Sequence, residues 1–189
     1  MEAIVEHVLK INDRRTEWKS MDSRVQIKEI EQLDGEVLQG LSTLLLDVVN
    51  DGASIGFLPP LDRKMADDYW AAVLQPEVHL WVALVDNQVC GTIQLHLAQK
   101  PNALHRAEVA KLMVHPSQRR MGIAKGLLRV VEDCAHHEER SLLVLDTREG
   151  DPSNLLYQSN GYMEAGRIPE FAKSADGGYH ATVIYYKKF

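Results

Sequence analysis

The sequence predicts an α+β domain, and three patterns carry that prediction. Two runs of β-forming residues, His79 to Val85 and Gln88 to Leu97, are separated only by Asp86-Asn87, a pair suited to a tight hairpin, so two antiparallel strands lie side by side. Arg106 to Val114 reads as a strand that stops at Pro116. An amphipathic stretch with Ile123, Ala124, Leu127, Leu128, Val131 and Ala135 follows, and then the apolar run Leu142 to Leu145. A strand, helix and strand of this length favours a right-handed parallel pair. Helical and strand periods therefore alternate within one chain of 189 residues, a length that suits a single domain.

The remaining elements follow in chain order. Residues 1 to 24 carry five acids and five bases with weak apolar periodicity and form an N-terminal extension, at most one helix; the domain proper runs from 25 to 189. Val25 to Ile30 alternates like a strand, and Val37, Leu38, Leu41, Leu44, Leu45 and Val48 recur at helical spacing. Asp51 to Pro60 is punctuated by glycine and proline and reads as a loop. A second helix, capped by Asp62, follows through Met65, Tyr69, Trp70, Val73 and Leu74. Beyond the parallel unit, Asp151-Pro152 supplies an N-cap and first-turn proline for a short helix through Tyr157, ended by Asn160-Gly161; Tyr162 to Phe189 alternates turns and strand-like segments.

Composition excludes several classes of function. A formal charge of −6 disfavours nucleic acid as a partner, and no apolar run reaches the length of a membrane span. No secretory leader is evident, so a cytoplasmic setting is expected. Cys90 and Cys134 read as reduced core thiols, with Cys134 a packing residue on a helix stripe rather than an acyl-enzyme nucleophile. The histidines lack metal-ligand spacing, and His136-His137-Glu138-Glu139 reads as a solvated helix end; no metal site is expected.

The segment that carries chemistry is Arg119-Arg120-Met121-Gly122-Ile123-Ala124, between a strand and the start of an amphipathic helix. The first amides of a helix lack intrahelical acceptors and lie at the positive end of its dipole, so a diphosphate can accept several bonds there. Gly122 removes the Cβ that would hold the anion away, Ala124 keeps the next turn narrow, and Arg119 and Arg120 add cations at the rim.

With Leu112 to Gln118 before it and Leu127-Leu128 after it, this segment resembles the acetyl-CoA signature of the GCN5-related N-acetyltransferase (GNAT) superfamily. That pattern is Gln or Arg, two residues, Gly, one residue, then Gly or Ala, matched by Arg119, Gly122 and Ala124. Asn154, Tyr157 and Gly161 are in register with the family's later helix and strand, and the resemblance covers about residues 25 to 189. Gly52 to Phe57, Gln99 to Val109 and Leu145 to Thr147 are further similar to the tabtoxin-resistance group, whose members acetylate an amine on a small β-lactam toxin.

The resemblance implies a mixed, mostly antiparallel and bent sheet flanked by helices. In it the strand through Glu108 to Val114 splays from the strand through Leu142 to Asp146, and acyl-CoA enters the gap. It implies that the backbone near Leu112, Met113 and Val114 bonds the thioester carbonyl and pantetheine amides, that the amides from Arg119 to Ala124 bind the diphosphate, and that Asn154 contacts the cofactor arm. A donor fixed near the thioester oxygen also stabilises the charge that develops during attack.

Direct transfer needs a neutral amine, so a nearby carboxylate should attract the cation and remove its proton. Glu108 holds the position where several family members place such an acid, and strand alternation sets 108, 110 and 112 on one face. Asp146, near the C-terminal end of the partner strand, is the other candidate; the bland alternatives are a surface Glu108 paired with Arg106 or Lys111 and an Asp146 that caps a loop. Tyr157, a phenol protonated at neutral pH, can donate to the departing thiolate. Tyr162, Trp70 and Trp81 are assigned to the core. The expected protein is an acetyl-CoA-dependent N-acetyltransferase acting on a primary amine of a small metabolite or toxin in a ternary complex, with a homodimer left open. Protein amine acetylation and a non-catalytic acyl-CoA sensor are the alternatives. The loops Gly52 to Phe57 and Lys100 to Arg106 are expected to wall the acceptor pocket.

Overall fold

The computed structural model describes residues 24–189, and all but the last residue of the expected N-terminal extension lie outside them. Among the described residues seven strands form one mixed sheet flanked by four α-helices. In chain order these are β1 (Val25–Glu29), α1 (Gly35–Asn50), α2 (Arg63–Ala71), β2 (Val78–Val85), β3 (Gln88–Leu97), β4 (Arg106–Val114), α3 (Ile123–His137), β5 (Leu142–Arg148), α4 (Ser153–Ser159), β6 (Met163–Lys173) and β7 (Tyr179–Lys188). The strand order is β1-β2-β3-β4-β5-β7-β6.

Local chemistry accounts for most boundaries. Asp34 and Asp62 cap α1 and α2 by accepting from the amides of Val37 (2.8 Å) and Met65 (2.7 Å), satisfying donors that the first helical turn leaves open. The second helix ends at Ala71, before Val73 and Leu74, as the chain tightens toward Pro76; Val73 is nevertheless buried. Asp86 and Asn87 both adopt positive φ, 50° and 63°, the conformation a two-residue hairpin requires.

The sheet is covered on both faces, so β2 is almost continuously apolar. Trp81, Ile93, Leu95, Val109, Leu127 and Val131 pack on the α3 side. Leu41, Leu45, Trp70, Leu80, Val82 and Met113 pack on the α1 and α2 side. Trp70, Trp81 and Tyr162 are core residues, as expected. Cys90 is buried, whereas Cys134 is only half-buried and packs against the core on the α3 side.

β4 and β5 are the sheet's parallel pair, and their pairing is short: Arg106 with Leu142, Ala107 with Leu143 and Glu108 with Val144. Beyond that point β4 continues along β3, while β5 pairs with β7 as far as Arg148. The two strands therefore fork, as the resemblance implied. β6 forms the outer edge beside β7, and its register shifts twice, between Glu164 and Gly166 and between Ile168 and Ala172.

One expectation fails inside β4. Lys111 has φ +52°, and the register moves from Gln94 opposite Ala110 to Thr92 opposite Met113, so Lys111 and Leu112 together face the single residue Ile93. This bulge reverses the alternation. Ala107 and Val109 pack on the α3 side before it, Leu112 and Val114 pack there after it, and Met113 turns to the opposite core. Glu108 and Leu112 therefore do not share a face.

Candidate active site

The fork opens a cleft of about 520 Å³ between α1 with its following loop, β4, β5, the start of α4 and the β6–β7 pair. Glu108 stands at the last paired position of β4; Asp146 lies two residues past Val144, the position opposite Glu108 on β5; Tyr157 enters from α4. All three line this cleft.

Each of the three is positioned differently. Asp146 accepts a hydrogen bond from the Thr182 hydroxyl at 2.8 Å, and Thr182 is itself buried on β7. Glu108 is exposed to the cleft and lies across from His96 on β3; neither Arg106 nor Lys111 comes within ion-pair distance of it among the described residues. The Tyr157 ring is 6 % exposed and packs against Tyr162 and Tyr185. Burial, reinforced by the charge of Asp146, pushes its phenol above the ordinary range and keeps it protonated.

Leu112, Met113 and Val114 also line the cleft, on the length of β4 that β5 has left. Their strand edge facing the fork thus has no β5 partner, which leaves main-chain groups available to a ligand.

The turn at 119–124 lies where α3 begins. Arg120 and Gly122 both adopt left-handed conformations, φ 68° and 79°, and Gly122 caps α3 without any side-chain hydrogen bond. A Cβ at Gly122 would meet nothing within 4 Å, so it is conformation rather than crowding that calls for glycine here. The amides of Ile123 and Ala124 in the first turn have no helical acceptors. Arg119 lines the cleft and pairs with Asp51 at 2.6 Å, tying the turn to the end of α1. This donor set fits a diphosphate, with Arg119 and Arg120 at its rim and Met121 within the turn.

The Asn154 side chain stands outside the cleft lining and braces the turn between β5 and α4: its Nδ2 donates to the carbonyls of Arg148 (2.9 Å) and Asp151 (2.8 Å), and its Oδ1 accepts from Tyr185 (3.0 Å). One expectation is not met. Asp151 does not cap α4 with its carboxylate, because that group pairs with Arg148 at 2.8 Å; Pro152 holds the cap position.

The walls also differ from expectation. Residues 51–56 line the cleft but 100–106 do not, and β6 and β7 supply Phe171, Ala172, His180, Ala181 and Thr182 instead. Lys111 is a further lining residue that strand reasoning passed over. Its Nζ donates to the Ile55 carbonyl at 2.8 Å, and it lies 5.8 Å from the ring centres of both Phe57 and Tyr69. Burial holds this ammonium below the usual lysine range, against the opposing pull of Asp146 and Glu108. Its one sequence signal is a lysine set between the apolar pairs Val109-Ala110 and Leu112-Met113.

The family profile described as Acetyltransferase (GNAT) family matches residues 42–162, a span that includes the fork, the turn at Gly122 and Tyr157. The chain belongs to this family. An N-acetyltransferase encoded in the hisH-hisA intergenic region of Azospirillum brasilense is 31% identical over 128 residues, 66% of this chain and 76% of that protein. Among solved structures, the ribosomal-protein-alanine N-acetyltransferase of Brucella melitensis superposes with a TM-score of 0.72 at 18% identity, covering 86% of this chain and 99% of that one. The protein yncA of Salmonella typhimurium, solved with its cofactor acetyl-CoA, gives 0.72 at 15% identity over 87% and 94%. These two likenesses concern the fold. As a GNAT member the chain is an acetyl-CoA-dependent N-acetyltransferase. No helix among the described residues is long and apolar enough to cross a membrane.

Proposed function

We propose that this GNAT enzyme moves acetyl from acetyl-CoA to a primary amine of a small metabolite or toxin by direct attack in a ternary complex. The observation that carries the reading is the convergence of two carboxylates, Glu108 and Asp146, with the buried phenol of Tyr157 in one cleft. Bound acetyl-CoA supplies an activated acyl group. Glu108 or Asp146 attracts the acceptor ammonium and takes its proton, which frees the nitrogen lone pair for attack. Main-chain groups of Leu112, Met113 and Val114 orient the thioester, and a donor there favours the charge that gathers on its oxygen. As the new C–N bond forms and the C–S bond breaks, Tyr157 gives its proton to the departing sulfur and recovers one through solvent.

A toxin amine stays within this acceptor class, since all three segments similar to the tabtoxin-resistance group contribute to the cleft lining, through Gly52 to Gly56, Glu108-Val109 and Asp146-Thr147. A cytoplasmic setting, where acyl-CoA donors are made, accords with this reading and with two free thiols.

Mass spectrometry after incubation with acetyl-CoA and a panel of small amines, beside peptides with free N-termini and lysines, tests the proposal. Acetylated small amines with unmodified peptides are expected. Acetylated peptides alone would move the acceptor to proteins, and binding without transfer to any amine would make the chain a sensor.

A further inference from the structure

Four basic side chains line the cleft, and three of them already hold carboxylates. Arg119 pairs with Asp51 at 2.6 Å, Arg148 with Asp151 at 2.8 Å and His180 with Asp176 at 3.4 Å. Lys111 is the exception: no carboxylate of the described residues lies within 4.0 Å of its ammonium, which makes one hydrogen bond, to the neutral Ile55 carbonyl. A lysine ammonium has three donors, so two remain.

The surroundings of Lys111 are built around that ammonium. Phe57 and Tyr69 present their rings to it at 5.8 Å, which supports a cation without neutralising it. Gly56, at φ +89°, passes so close that a Cβ there would lie 3.3 Å from Nζ. The left-handed bulge at Lys111 sets the side chain into the cleft rather than along the strand. A half-buried cation held this way, with Asp146 and Glu108 near enough to act on it but no carboxylate in contact, is an arrangement that an anionic ligand group would improve.

We propose that Lys111 receives a carboxylate of the acceptor, so that the acetylated molecule is an amino-carboxylate: an amino acid or a close relative. The cleft then offers opposite charges to the two ends of one zwitterion, Glu108 and Asp146 to its ammonium and Lys111 to its carboxylate. A single negative charge matches this site better than a phosphate dianion, which would meet one cation beside two carboxylates. The inference rests on the small-amine reading above and narrows it.

The test uses straight-chain ω-amino acids and α-amino acids, each beside its carboxamide, as acceptors with saturating acetyl-CoA, for wild type, Lys111→Met and Lys111→Arg. The wild type is expected to favour the carboxylate members by about tenfold or more in kcat/KM, the size of a lost charge-assisted hydrogen bond. Lys111→Met should erase that preference mainly through KM while amide turnover stays, and Lys111→Arg should restore part of it. Acetyl-CoA affinity and the thermal melt of both variants should match wild type, which separates lost recognition from lost folding. Equal use of acids and amides by wild type, or a preference that survives Lys111→Met, overturns the inference and leaves the small-amine reading intact. If neither series is acetylated although acetyl-CoA binds, the small-amine reading fails and the inference fails with it.

Discussion

Thr182 on β7 directs its hydroxyl to Asp146 on β5 at 2.8 Å, while Glu108 on β4 faces the same cleft without a comparable anchor. The two carboxylates thus differ in how firmly they are held, and held geometry matters for proton transfer. If Asp146 is the base, Asp146→Asn should lower turnover about 10²-fold with acetyl-CoA affinity unchanged, and Thr182→Val should lower it to a smaller extent, with Thr182→Ser restoring it. If Glu108 is the base, Glu108→Gln gives the large effect instead. Steady-state rates across pH for the four single variants decide the assignment; near-wild-type rates in all of them would leave the proton to water.

Tyr157→Phe keeps the ring among Tyr162 and Tyr185 and removes only the hydroxyl. A thermal melt close to wild type is expected together with a turnover loss of about 10- to 100-fold, at or below the general-acid range because a thiolate leaves readily on its own. An unchanged rate would make Tyr157 a packing residue.

The turn before α3 is expected to hold the diphosphate through its amides. Gly122→Glu places a negative charge and a side chain at φ +79°, so calorimetry should show a large loss of CoA affinity in a protein that still melts cooperatively. Arg120→Ala should weaken binding in a salt-dependent way. Arg119→Ala should also disturb the contact with Asp51, a surface pair of small intrinsic worth. CoA affinity indifferent to Gly122→Glu would remove the diphosphate from this turn.

His79 predicts a pH dependence of stability. The neighbouring Cys134 sulfur, and then the 2.8 Å contact with Glu29, raise the imidazole from 6.5 to about 10. Between those values the folded chain holds a proton that the unfolded chain has lost, so the contribution is complete below pH 6.5 and declines as pH rises toward 10. Melting temperatures should therefore fall across that window more steeply for wild type than for His79→Gln, with Glu29→Gln in between. Parallel curves for all three would show that the histidine carries no extra proton.

Much of this architecture is legible because local chemistry decides it. Asp86-Asn87 fixes a hairpin, Asp62 caps a helix, and the break at Pro116 ends β4 at Val114 in both sequence and structure. The turn at Gly122 stands out as a motif, and the positions of Glu108, Asp146 and Tyr157 relative to it are enough to place all three along one cleft. What sequence reasoning misses depends on partners far along the chain. The bulge at Lys111 arises from a mismatch with β3, so period two carried the wrong face past Ala110. Thr182 reaches Asp146 across 36 residues of chain, and β7 gave no motif to announce it.

The outermost strand has a consequence of another kind. β6 runs for eleven residues along the rim of the sheet, long enough to template a neighbouring chain, yet its ladder slips twice, Pro169 lacks an amide proton, and Glu170 turns through φ +51°. Glu164, Arg167, Glu170 and Lys173 add charge along the same stretch. An incoming strand would find neither a straight row of donors and acceptors nor a neutral surface, and these are the devices by which β-proteins avoid open-ended growth. The sheet therefore ends at β6 by its own covalent design and resists aggregation at the rim it exposes most.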